Sequence, residues 1–279
     1  MALVLALGAA AAYGAADFIG GAVSKKAGTI VVVLVSQLLG TAITLLLLPL
    51  FATWPPGSEA LWWGAAAGVG GAAGVLLLYK GLASGRMSVV APVTGVEAAG
   101  IPVIFALLTG ERPSTVALGG VLLGLIAVAL VSTSSGGPGV TQRATAGLPE
   151  ALGAGFAFGV FFICLDKAPD GAGIWPLIGA RASSILLITI VALIARVELL
   201  RAKASFRPIA AAGMLDVIAN VLYLLATQRG LLSLTAVLTS MYPGGTVLLA
   251  RIFLKERLAR IQLVGLGVAG AAVVMIGIG

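Results

Sequence analysis

The sequence predicts an all-α polytopic membrane protein: ten transmembrane helices in two inverted five-helix repeats. Three observations carry this reading. Sixty per cent of the 279 residues are hydrophobic, 10% are charged and the mean hydropathy is +1.14, which is more apolar surface than a water-soluble domain can hide. The apolar residues gather into ten runs, at 2–22, 29–52, 60–80, 88–109, 113–133, 147–166, 174–196, 207–227, 232–254 and 259–278, each about the 20 residues that a helix needs to cross a bilayer. The two halves of the chain also repeat each other at one constant offset.

The first run, opening MALVLALGAAAAYG, has the small residues of a signal peptide but no basic leader. It takes part in the repeat, so it is read as the first span. Breaker-rich joints separate the rest in order: SKKAG, TWPPGSE, GLASGRM, GERPS, SSGGPGVTQRATAG, DKAPDGAG, RVELLRAKASFRP, TQRG and LKERLAR. Without the alternation of a barrel, helices are the way such runs satisfy their backbone in lipid. Pro92, in RMSVVAP, predicts a kinked or delayed fourth helix. The Gly/Ser-rich stretch 134–146 is read as a linker, which divides the chain into repeats 1–133 and 147–279.

The offset is set by GERPS and KERLA, whose Glu111 and Glu256 stand 145 apart (256 − 111). The same shift carries Gly8 onto Gly153, Tyr13-Gly14 onto Phe158-Gly159, Ser88 onto Ser233, Thr94 onto Thr239, Gly100 onto Gly245 and Gly120 onto Gly265. Each match is weak in a glycine-rich chain; their shared shift is the signal. Five spans per repeat is odd, so the second repeat enters the membrane from the opposite side. That arrangement predicts a binding site near the midplane, between the halves.

Few ionisable residues fall inside the spans: Asp17, Glu97, Arg181 and Asp216. Each costs about 2.5–3.5 kcal/mol to insert at the centre of a lone helix, so each is expected to face a partner or a wet cavity. Glu97 shares a helix face with Thr94, and their repeat partners are Tyr242 and Thr239. Glu97 is expected to face the central cavity, carrying a coupled proton or the counter-charge of a substrate. The threonines, part of a stripe with Thr235 and Thr246, either join it or bond backbone carbonyls of neighbouring turns. Asp216, Asn220 and Tyr223 share another face, as substrate contacts or as a network between helices. Asp17 is read as a gate or mouth residue. Arg181 is expected to pair with one of the acids, since a lone buried guanidinium is costly. Gln37 in the second span joins the candidates. Three acids against one base favour a cationic or amine-bearing small molecule, for which Tyr13, Tyr79, Tyr223 and Tyr242 offer aromatic faces. Taking a carboxylate out of water also disfavours its charge, which suits proton exchange.

The acid Glu97 followed by GER at 110–112, Tyr242-Pro243 followed by KER at 255–257, the aromatic-Gly pairs of the first and sixth spans, and ten spans in two halves together resemble the drug/metabolite transporter superfamily, in its EamA-type ten-helix branch. The resemblance covers almost the whole chain. It implies a basket of two inverted repeats and alternating-access transport of small metabolites or drugs, often outward.

Other features narrow the function. The charge of +7 and pI near 10 come from basic residues at span ends, which points to anionic lipid and not to nucleic acid. Of the 17 Lys and Arg, thirteen flank odd-numbered loops, three (Arg112, Lys167 and Arg229) flank even ones, and Arg181 lies in a span. This bias places the odd loops in the cytoplasm and both termini outside a plasma membrane of the bacterial inner-membrane type. There is no histidine and one cysteine, Cys164, so no metal or cofactor is expected. No P-loop occurs, which leaves a gradient as the energy source. A membrane-embedded enzyme using Glu97 and Asp216 is the alternative, weakened by the absence of any Ser/His or Cys/His set; a scaffold with no cargo leaves the intramembrane charges unexplained. Gly64/Gly68, Gly70/Gly74, Gly120/Gly124 and Gly155/Gly159 are expected to let helices of one chain approach closely, with a homodimer as their alternative use.

Overall fold

The computed structural model describes residues 1–51, 54, 57–84, 87–132, 147–197, 205–254 and 260–278. Among them the helices are α1 (Ala2–Ala27), α2 (Thr29–Phe51), α3 (Ser58–Ser84), α4 (Met87–Leu108), α5 (Thr115–Ser132), α6 (Leu148–Asp166), α7 (Trp175–Ile194), α8 (Phe206–Thr227), α9 (Leu232–Thr239), α10 (Tyr242–Leu254) and α11 (Arg260–Ile278). Six single helices and the joined pair α9–α10 are long and apolar enough to cross a membrane, and α4, α5 and α11 contain shorter apolar stretches. The protein is all-α and polytopic, with its ten spans in two inverted repeats. The expected linker at 134–146 and the KER motif lie outside the described residues.

Three elements differ from the sequence reading. α1 continues to Ala27, because Lys25 and Lys26 in its last turn suit the negative end of the helix dipole. Asp17 therefore sits well inside α1 and not at a mouth. α4 begins at Met87 and runs through position 92, so Pro92 does not delay it. The ninth span is broken at Ser240 and Met241. Pro243 has no N–H to give the Thr239 carbonyl four residues back, and the chain takes a tight turn before α10 resumes.

The inverted repeat is visible in the packing, because the main interfaces between the two halves recur at the 145-residue offset. α1 packs on α8 as α6 packs on α3, α1 on α9 and α10 as α6 on α4, and α2 on α8 as α7 on α3. Single contacts obey the same rule. The Thr94 hydroxyl donates to the Ala151 carbonyl at 3.1 Å, and the Thr239 hydroxyl donates to the Ala6 carbonyl at 3.5 Å. Gly14 packs against Thr246, and Gly159 against Ile101.

The small-residue pairs are used up inside the chain. On α3, Gly64 lies under the Pro176 carbonyl and Gly68 under the Ala180 carbonyl and Ser183 hydroxyl of α7; Ser183 and Ser184 donate to the carbonyls of Ala65 and Gly68 at 2.7 and 2.9 Å. Gly68→Val is expected to destabilise the purified protein by about 1–3 kcal/mol through overpacking, read as a lower melting temperature in detergent; an unchanged melt would mean that α3 and α7 do not depend on this approach.

Two buried apolar clusters bracket the centre. One surrounds Val32, Leu78, Leu82 and Ile209 at the odd-loop end, the other Val103, Val121, Leu238 and Ile276 at the even-loop end. Between them the midplane is left for the polar residues.

Candidate functional site

A small cavity, part of it open to solvent, lies at that level. Its lining comes from equivalent positions of the two repeats, with unlike chemistry. Tyr13 and Asp17 on α1 face the cavity, and so do their offset partners Phe158 and Phe162 on α6; Asp216 and Asn220 on α8 do so with their partners Gly71 and Val75 on α3. One wall, from α1 and α8, is therefore polar, and the opposite wall, from α3 and α6, is apolar and aromatic. Gln37, Arg181, Ser184 and Tyr242 extend the polar side, and Phe161 and Leu177 the apolar one.

Most of the polar wall is internally satisfied. The Arg181 guanidinium donates to Asp216 at 2.7 Å and to the Gln37 side-chain carbonyl, which is the expected pairing of arginine with an intramembrane acid. Asn220 donates to the Asp216 backbone carbonyl at 2.6 Å and accepts from the Tyr13 hydroxyl at 3.0 Å. Two groups stand outside this chain. Asp17 is 6% exposed, with no cation at salt-bridge distance among the described residues. The Tyr242 hydroxyl, at the break of the ninth span, is buried without a hydrogen-bond partner among the described residues. The Tyr13 ring meets the Tyr242 ring edge-on at 6.3 Å and lies 6.4 Å from Phe162, which puts aromatic rings beside the Tyr242 hydroxyl's own ring.

Of the residues singled out in the sequence, Tyr13, Asp17, Gln37, Arg181, Asp216, Asn220 and Tyr242 come together here. The others sit elsewhere. Glu97 is half-buried against α6, its side chain beside Gly155 and the Phe156 backbone, and it is not part of the cavity lining. Thr94 and Thr239 spend their hydroxyls on neighbouring helices. Tyr223 donates to the Phe162 carbonyl and stacks on that ring at 4.4 Å, while Tyr79 donates to the Ala16 carbonyl and lies against Gly20. Tyr223 supports a cavity residue, Phe162, from behind, and Tyr79 packs against α1. The aromatic wall was missed, although the offset identifies Phe158 and Phe162 as partners of Tyr13 and Asp17.

Glu111, of the GER motif, was also missed as a contact. Its carboxylate accepts from the Leu232 and Ser233 amides at 2.8 and 3.1 Å and from the Ser233 hydroxyl at 2.6 Å. It thus caps α9 from another repeat and suits the positive end of that helix. Glu111→Ala is expected to destabilise the protein by about 1–2 kcal/mol, the loss of a cap, with faster amide exchange confined to the start of α9. Uniform exchange along the chain would refute a local cap.

Comparison with known proteins supports this architecture. A solved crystal structure matches with a TM-score of 0.73 over 99% of this chain and 96% of its own, at 16% sequence identity, a likeness of fold. No curated protein matches. The EamA-like transporter family matches residues 1–133 and 145–278, one segment for each five-helix repeat, and with nearly the whole chain covered, this protein belongs to the EamA-like transporter family.

Proposed function

We propose that this member of a drug/metabolite-type transporter family carries a small amphipathic amine or organic cation, outward, across the plasma membrane of a bacterial-type cell. The single observation behind this is the two-sided cavity. Asp17 offers an anion with no cation of its own, the Tyr242 hydroxyl offers an unused hydrogen-bonding group, and the opposite wall offers Phe158, Phe161 and Phe162. An ammonium group held by Asp17 and an aromatic or aliphatic body held by the phenylalanines fit that division. Arg181 and Asp216 neutralise each other, which leaves Asp17 as the unbalanced charge.

Alternating access follows from the repeats. Tyr242 lines the cavity while its repeat partner Glu97 does not. Exchange of the two repeats' conformations brings Glu97 inward as Tyr242 withdraws, and gives the transporter a carboxylate that meets the cavity in one state only, as proton coupling requires. The odd loops face the cytoplasm and the termini the outside, in line with the Lys/Arg bias.

Thermal melting of the purified protein tests the cargo class, because a binder stabilises the folded state by mass action. A phenylalkylamine and its quaternary analogue are expected to raise the melting temperature, and the neutral N-acetyl analogue is not. Equal stabilisation by the neutral compound would remove the role given to Asp17.

A further inference from the structure

A second cleft lies at the odd-loop end, where the turn from α1 to α2 meets the ends of α3 and α7. It holds about 1190 Å³ of space, much of it open to solvent. Two cations from different elements line it, Lys80 of α3 and Arg196 just past α7. Lys80 is shared with Glu150 of α6 at 3.1 Å; Arg196 has no ion pair among the described residues. Lys25 and Lys26 end α1 immediately before the lining residues Ala27 and Gly28.

Arg196 occupies an unusual backbone position. Its φ of 48° is the one positive value at a non-glycine residue among those described. The Val197 amide reaches back to the Ala192 carbonyl at 3.1 Å, the closure that normally places glycine or asparagine where Arg196 stands. This chain puts a guanidinium there despite the steric cost. On the facing side Thr29, Ile30 and Val31, the first turn of α2, line the cleft; their backbone amides have no acceptor among the described residues, the Gly28 carbonyl being taken by Val32. Leu76, Ile30 and Val197 supply an apolar flank.

We propose that this cleft binds a phosphate-bearing anion, held between Arg196, Lys80 and the free amides at the start of α2. The apolar flank favours the phosphodiester headgroup of an anionic phospholipid over free phosphate, and basic pockets between helix ends on the cytoplasmic side are where such headgroups bind. Only the choice of leaflet rests on the orientation proposed above; the binding chemistry is independent of the cargo.

The test uses the full-length protein in an uncharged detergent, with native mass spectrometry and thermal melting as readouts. The probes are a phosphatidylglycerol, a phosphatidylcholine and inorganic phosphate. Phosphatidylglycerol is expected to bind and stabilise, and phosphatidylcholine to do so far less. Arg196→Gly removes the cation and places glycine at a positive φ, so its melt without lipid is expected to match or exceed that of the native chain. Its affinity for phosphatidylglycerol is expected to fall roughly fivefold, and that of Arg196→Gly/Lys80→Gln further, on the scale of one interfacial cation each. Competition by inorganic phosphate would place recognition in the phosphate itself, and binding of inorganic phosphate alone would make a soluble anion the ligand. Equal binding of phosphatidylcholine, or phosphatidylglycerol binding indifferent to both substitutions, overturns the site.

Discussion

Replacing Asp17 by asparagine is expected to weaken binding of a phenylalkylamine by roughly 10- to 150-fold, the equivalent of about 1.5–3 kcal/mol for a charge-assisted contact. The protein is expected to stay folded and to melt no lower. Asp17 makes no ion pair among the described residues, so the substitution keeps the shape of the side chain and removes a buried carboxyl whose ionised form no neighbouring cation balances. A residue whose ionised form costs stability when empty and gains it when loaded is the mark of a ligand site. Glu97→Gln is the contrasting variant. Glu97 lies against Gly155, away from the cavity, so amine affinity is expected to stay within about twofold of native, while transport in sealed vesicles loses its dependence on pH. Isothermal titration and vesicle flux separate the two. Unchanged affinity in Asp17→Asn, or a collapse of affinity in Glu97→Gln, would return the counter-charge to Glu97.

That contrast also shows where sequence reading stopped. The spans were legible because run length alone distinguishes a bilayer helix, and the inverted repeat because one offset ties Glu111 to Glu256 and Thr94 to Thr239. The direction in which a side chain points was not. A span that is apolar all round has no polar stripe to mark its inward face, so only the repeat offset to Tyr13 and Asp17 distinguished Phe158 and Phe162 from lipid-facing residues. The threonine stripe that did stand out faces backbone carbonyls of neighbouring helices, because hydroxyls satisfied that way need no water. Glu97 was assigned to the cavity from its depth in the span, its neighbour Thr94 and its alignment with Tyr242. Tyr242 and Glu97 are equivalent in sequence but stand in unlike environments, and the break at Ser240 and Met241 occurs in only one of the two helices. Asp17 was read as a mouth residue because the first run was ended before Lys25, when the helix uses both lysines to close its last turn. Arg181 was paired correctly with an acid, since the cost of an unpaired guanidinium does not depend on knowing the packing.

The pair Arg181–Asp216 yields the largest expected change in stability. The two side chains are 8% and 20% exposed and 2.7 Å apart. Arg181→Met leaves Asp216 without its cation and Gln37 without its donor, and breaking a buried pair from one side costs about 3–5 kcal/mol. Because Asp216 keeps some contact with the cavity, the lower end of that range is expected. The double variant Arg181→Met/Asp216→Leu removes both charges and is expected to recover most of the loss, since apolar residues of similar volume often replace a buried ion pair at little cost. Denaturation of the four proteins in a double-mutant cycle measures the coupling, and additive losses would show that the pair does not act as a unit. Amine binding gives the second readout. Arg181→Met leaves Asp17 and Asp216 both unbalanced, so cation affinity is expected to rise; the double variant restores the single charge of Asp17 and with it near-native affinity. If Arg181→Met abolishes binding and the double variant does not restore it, the guanidinium is itself a ligand contact, and the cargo carries a carboxylate that Arg181 leaves Asp216 to meet.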